Sequence, residues 1–114
     1  MSDPRRVRLV ALVGAIQGER RAFHTGGYPL ATEKMLPLPD VLLIDTEEGS
    51  GVMLYRYTVH GEFGGDTMHA TVDAAKQQAS FEYREALGEW IEVPSDVADA
   101  HRFAVQYAAS HLRT

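Results

Sequence analysis

The side chains able to do chemistry are few and unevenly placed. Five histidines run along the chain, His24, His60, His69, His101 and His111. A metal site needs two or three such ligands to converge. His101 and His111 fall on one expected helix, ten residues apart in the sequence, which at 1.5 Å per residue separates them by about 15 Å, too far to share an ion. His60 belongs to a turn and His69 to a strand end, so only the loop that carries His24 could complete a site. Asp66, His69 and Thr71 stand close together, and a carboxylate, an imidazole and a hydroxyl are the parts of an acid–base relay. The same residues have plainer uses: Asp66 can hold a turn and Thr71 can cap a helix. No Gly-x-Ser-x-Gly elbow is present, and Ser50, Ser80, Ser95 and Ser110 have no marked context. His24-Thr25-Gly26-Gly27-Tyr28 offers backbone amides to an anion, but no Walker lysine follows. No catalytic residue, metal or cofactor is assigned from these patterns.

Arg56 is more informative. It lies in an expected strand between Tyr55 and Tyr57, where a charge is costly unless paired. Asp66, Glu82 and Glu92 are the expected partners. A structural ion pair joining sheet to helix is the plainer reading. A surface of arginine and tyrosine that recognises a carboxylate or a protein is the functional one. The candidate ligand- or partner-binding set is therefore Tyr55, Arg56, Tyr57, Asp66 and His69. The sole tryptophan, Trp90, sits beside Ile91 and Val93 and is expected as a core anchor.

These residues need elements to position them. Val7, Leu9, Val10, Leu12, Val13 and Ile16 suit a buried strand. Arg5-Arg6-Val7-Arg8 before that run imitates the start of a signal peptide, but no small-x-small cleavage site closes it and Gly18-Glu19-Arg20-Arg21 follows at once. The run is also shorter than the roughly 20 residues of a membrane span. Residues 17–38 hold Gly18, Gly26, Gly27, Pro29 and Pro37 and read as a long loop, with a helical turn near 31–35. From Asp40 the pattern sharpens. Val41–Ile44 and Val52–Val59 read as strands about a Glu47–Gly51 loop, and His60-Gly61 as a two-residue turn into a strand over 62–69. That register sets Tyr57 against Gly64, Tyr55 against Asp66 and Met53 against Met68. Phe63 then falls on the face of Arg56 and His69, and Gly64-Gly65 marks a bulge. Thr71 begins a helix through Leu87, with Gly88 behind it. Trp90–Val93 reads as an edge strand stopped by Pro94. A second helix starts at Ser95 or Asp96 and runs to about His111 with Val97, Ala100, Ala104, Tyr107 and Ala108 inward.

Several segments together resemble a group of small uncharacterised bacterial proteins. They are Gly65-Asp66-Thr67-Met68-His69, Ala75-Lys76-Gln77-Gln78-Ala79 and Gly88-Glu89-Trp90-Ile91-Glu92-Val93-Pro94, after Asp40–Ile44 and Leu54–Tyr57. The resemblance spans residues 40–103. The sequence departs from the pattern at Met68, where an aromatic is usual. No activity is attached to the group, so the resemblance implies a bacterial, intracellular, stand-alone protein and no site residues.

The chain has 114 residues, is 45% hydrophobic and contains no cysteine. One domain over 1–114 is expected, a basic strand and long loop over 1–39 and hairpins followed by two helices over 40–114. Without thiols, disulfides, thiolate metal sites and cysteine nucleophiles are excluded. The net charge of −5 divides unevenly. Residues 1–34 carry six Lys/Arg and three acids, net +3, and residues 35–114 carry five and thirteen, net −8. The acidic body argues against nucleic acid and for a partner with a basic surface. Both sheet faces are substantially apolar, so the face left by the helices needs the N-terminal region or a second copy, a homodimer. The fold class expected is α+β: an antiparallel sheet of three to five strands with two helices packed on one face. The function expected is that of a cytoplasmic, non-catalytic interaction or regulatory protein, immunity- or antitoxin-like. A small-ligand or metal binder using His24, Asp66 and His69 is the alternative, and a small enzyme comes third.

Overall fold

Four consecutive apolar residues, Val41-Leu42-Leu43-Ile44, require a strand buried on both faces, and the architecture follows from that need. The structure is a computed structural model that describes residues 6–14, 38–47 and 51–111. Five strands form one antiparallel sheet: β1 (Arg8–Leu12), β2 (Val41–Glu47), β3 (Gly51–Tyr57), β4 (Phe63–His69) and β5 (Ile91–Glu92), in the order β4-β3-β2-β1-β5. Two twelve-residue helices follow the hairpins, α1 (Val72–Tyr83) and α2 (Ala100–His111). The α+β class and the antiparallel sheet are those expected from the sequence.

The helices, however, take opposite faces. Leu42, Ile44, Val52, Leu54 and Val13 pack with Ala75, Ala79 and Tyr83 of α1. Val10, Val41, Leu43 and Val93 pack with Ala100, Ala104 and Ala108 of α2. The reason lies in the period of two: adjacent residues of β2 point to opposite sides, and a single helix layer covers only one of them. The chain leaves β4 at one edge, crosses the first face as α1, forms β5 at the far edge and returns across the second face as α2. Both helices meet the sheet through alanines, whose small side chains let each helix lie close.

Local signals account for most boundaries. Thr71 caps α1 by accepting from the Ala74 N–H at 3.0 Å. Asp99, rather than Ser95 or Asp96, accepts from the Arg102 N–H at 3.1 Å at the start of α2. Helix α1 is shorter than expected. It ends at Tyr83 and a single 3-10 turn, 84–86, continues to Leu87, where Arg84 adopts φ +47°. Gly88 therefore does not terminate the helix; it donates to the Leu12 carbonyl at 2.8 Å and anchors the approach to β1.

The β3–β4 turn also differs from expectation. Thr58 and Glu62 close it through the Thr58 N–H to the Glu62 carbonyl at 2.9 Å. Thr58 Oγ1 accepts from His60 N at 3.2 Å and Glu62 N at 3.0 Å. The loop thus has three residues, 59–61, and only Gly61, at φ +88°, takes the left-handed conformation that the expected turn would have demanded of His60 as well. Below it the ladder slips. Tyr55 pairs with Asp66 and Met53 with Met68 as expected, but Tyr57 pairs with Phe63 and not Gly64. Gly64 and Gly65 together oppose Arg56, and Gly65 has φ +104°, a bulge that glycine accommodates without strain. One extra residue reverses the side on which Phe63 emerges. It joins the Tyr57 face, with ring centroids 5.9 Å apart, and leaves the Arg56 face.

The N-terminal strand is held by its own charges. Arg6 grips the buried Asp45 with two bonds, Nε to Oδ1 at 3.1 Å and Nη2 to Oδ2 at 3.0 Å. Arg8 donates to the carbonyls of Val97 at 2.7 Å and Pro94 at 3.0 Å. Two arginines of the basic segment thus lie against the body. Ile16, His24 and the expected loop and turn over 17–38, up to residue 37, lie outside the described residues.

Candidate functional site

The sheet divides the sequence-derived set in two. Tyr55, Tyr57 and Asp66 share the α2 face, whereas Arg56 and His69 share the α1 face, because alternate positions of β3 and β4 point opposite ways.

On the α1 face Arg56 is buried and fully engaged. Its Nε and Nη2 donate to the two carboxylate oxygens of Glu82 at 3.0 and 2.9 Å. The second Nη2 proton reaches Thr67 Oγ1 at 3.3 Å, and Nη1 reaches the carbonyls of Leu54 at 3.3 Å and Gly65 at 3.5 Å. Five contacts match the five N–H groups of a guanidinium. The bulge serves this site, since it brings the Gly65 carbonyl to Arg56. Of the three acids expected as partners, Glu82 is the one paired. Burial acts to raise its pKa, but the hydrogen bonds and charge of Arg56, with Gln78 and Tyr83, prevail and hold it below the usual carboxylate range. Gln78 Nε2 donates to Glu82 Oε2 at 2.6 Å. Thr67 Oγ1, which accepts from Arg56, lies 2.7 Å from His69 Nε2. Its own proton suits that nitrogen, a neutral acceptor in the Nδ1–H tautomer. Burial first, then the Arg56 charge, keep the His69 pKa below its ordinary value. The Tyr83 hydroxyl is buried beside the pair, and burial followed by the Glu82 charge pushes its pKa up. This is a closed structural network that pins α1 to the sheet, with no donor of Arg56 left for a ligand.

The α2 face is finished differently. Helix α2 lies over β1 and β2, and its first turn brings His101 to β3. His101 Nδ1 is 2.6 Å from the Tyr57 hydroxyl, and its ring meets Tyr55 edge-on at 4.6 Å. Burial, then the charges of Asp66 and Asp99, raise the Tyr57 pKa, so the phenol keeps its proton. Beyond this contact the face opens. Phe63 is 50% exposed and Met68 65% exposed, with Asp66 exposed between them and Met53 and Tyr55 half-buried beside them.

Asp66 and His69 point to opposite faces, and the Thr71 hydroxyl is committed to its cap, so the three do not assemble as a relay. Among the described residues no three His, Cys, Asp or Glu side chains converge as a metal set. Trp90 packs partly buried against the α1-face core, as expected of an anchor. The sequence register already sets Met68 beside the tyrosines through its pairing with Met53; what sequence reasoning missed was Phe63 on that face, for which the glycine pair was the available signal. The α1 outer surface adds one shallow concavity of about 530 Å³ lined by Asp73, Lys76, Gln77, Ser80, Phe81 and Arg84.

The fold and surface define an α+β domain whose five-stranded antiparallel sheet carries one helix on each face. Compared with known proteins, the chain matches no family model, no curated protein and no solved structure. Among the described residues no helix is long and apolar enough to cross a membrane.

Proposed function

We propose that this is a non-catalytic interaction or regulatory protein of the bacterial cytoplasm, of the immunity or antitoxin kind, that meets a basic partner protein through the open half of its α2 face. The observation that carries the reading is the exposure of Phe63 and Met68 around Asp66 on the edge strand β4. Large apolar side chains in water beside half-buried tyrosines are the composition of an interface centre. Asp66, Glu62 and Asp99 supply the charge that would steer a basic surface toward it. Tyr55, Tyr57 and Asp66 of the candidate set belong to this surface, whereas Arg56 and His69 support it from behind by fixing α1 and the β3–β4 pair. Recruitment from the source cell at low salt tests it. The wild-type chain should retain a specific protein that Asp66→Lys and Met68→Ser variants, both folded, fail to retain. Equal recovery by all three chains, or no specific protein with the wild type, overturns the reading.

A further inference from the structure

We propose that the outer edge of β4, which no other described strand pairs, accepts an extended, basic segment of the partner as a sixth strand; this rests on the interaction reading above and specifies its geometry. The two edges of the sheet differ. β5 has only two residues and is followed at once by Val93 and Pro94, so it offers little to pair with. β4 has seven residues, and among the described residues it pairs with β3 alone. A long edge strand presents a row of backbone donors and acceptors that a further strand can satisfy. Natural edges are commonly blunted by lysine, proline or a bulge; β4 contains neither residue, and its bulge at Gly64-Gly65 leaves Asp66 to His69 regular.

The side chains specify what would pair there. Asp66 and Met68 are alternate residues on one face of β4, and the bulge turns Phe63 to that same face. A strand laid alongside would set a residue against Asp66 and others two positions away against Met68 and toward Phe63. The complementary pattern is apolar-x-basic-x-apolar. A second copy of the chain fits less well, since antiparallel pairing of β4 with itself about Asp66 opposes two carboxylates, and the 35–114 region carries a net charge of −8. Charge therefore favours a foreign basic strand over self-association. Glu62 at the head of β4, and the shared field of Asp66 and Asp99 at Tyr57, extend the same preference.

The test uses a capped synthetic peptide, Thr-Val-Thr-Lys-Thr-Val-Thr, its Lys→Glu counterpart, and single N-methyl derivatives at each position, titrated into the isotopically labelled full chain at low salt. The expected result is slowed amide exchange along β4, at least tenfold weaker binding of the glutamate peptide, and loss of binding on N-methylation at every second position. In the Asp66→Lys variant the charge preference should invert. Binding that depends on Phe63 and Met68 but shows no two-residue period overturns strand addition and leaves the interaction surface standing. No binding of the lysine peptide at millimolar concentration, or a wild-type dimer by light scattering that Asp66→Lys dissociates or strengthens, overturns the edge proposal. The recruitment experiment then judges the broader reading separately.

Discussion

The two faces of the sheet are built from the same strands, yet one is closed and the other half open. On the α1 face the helix spans β2, β3 and β4, and the polar groups it covers are satisfied around Arg56 and Glu82. On the α2 face the helix spans β1 and β2 and touches Tyr55 and Tyr57 of β3 through His101, and the outer part at β4 is left to Phe63, Asp66 and Met68. The difference separates stability from recognition. A buried arginine is tolerable only when its acceptors are all in place, so that region has no freedom to bind anything else. An open apolar region gives up burial and keeps contact area for another molecule.

The comparison predicts unequal costs of mutation. Arg56→Ala leaves Glu82 without its partner in a partly buried site and should destabilise by about 3–5 kcal/mol, read from the urea midpoint. A change within 1 kcal/mol would show that the network does not hold α1. The alanine contacts should be equally intolerant on the two faces: Ala79→Leu and Ala104→Leu should each cost about 1–3 kcal/mol through overpacking. If Ala104→Leu alone were neutral, α2 would be only loosely seated.

Acid should weaken the closed face in two stages. His69 is held below its ordinary value of 6.5 in the folded state, so its contribution is complete above that pH and declines as pH falls from it toward the folded pKa. Glu82 is held below its ordinary value of 4.5, so a further loss begins there and continues through its folded pKa. Urea midpoints measured against pH should show both limbs in the wild type, and His69→Asn should lack the upper one. A wild-type midpoint that stays flat as pH falls from 7 to 4.5 would contradict the His69 assignment, and one that stays flat on further acidification would contradict that of Glu82. The smallest effect belongs to the open face. Met68→Ser and Phe63→Ser should change stability by no more than about 0.5 kcal/mol while reducing partner retention. A large loss of stability would mean these side chains are structural after all.

Much of this was legible in the chain itself. Thr71 as a cap, the β2–β3–β4 order and the Tyr55–Asp66 and Met53–Met68 pairs follow from local signals, and the cost of an unpaired charge required a carboxylate for Arg56, although only the fold chose Glu82 over Asp66 and Glu92. The candidate site was less legible. Tyr55, Arg56 and Tyr57 are neighbours in sequence and look like one surface, but consecutive strand residues face opposite ways. Phe63 was assigned to the wrong face because the glycine pair signals a bulge without saying which residue it displaces. The placement of α2 was missed because an alanine stripe fits either face equally well.

By itself the sequence determined the strand and helix inventory, the acidic body and the absence of thiol chemistry, since these depend on composition and on periods read within single elements. The tertiary structure decided which side chains meet. The bulge sets the phase of β4 against β3, and the crossover to β5 leaves the second face to α2. Only these long-range choices close one half of the molecule around Arg56 and leave the other open at β4.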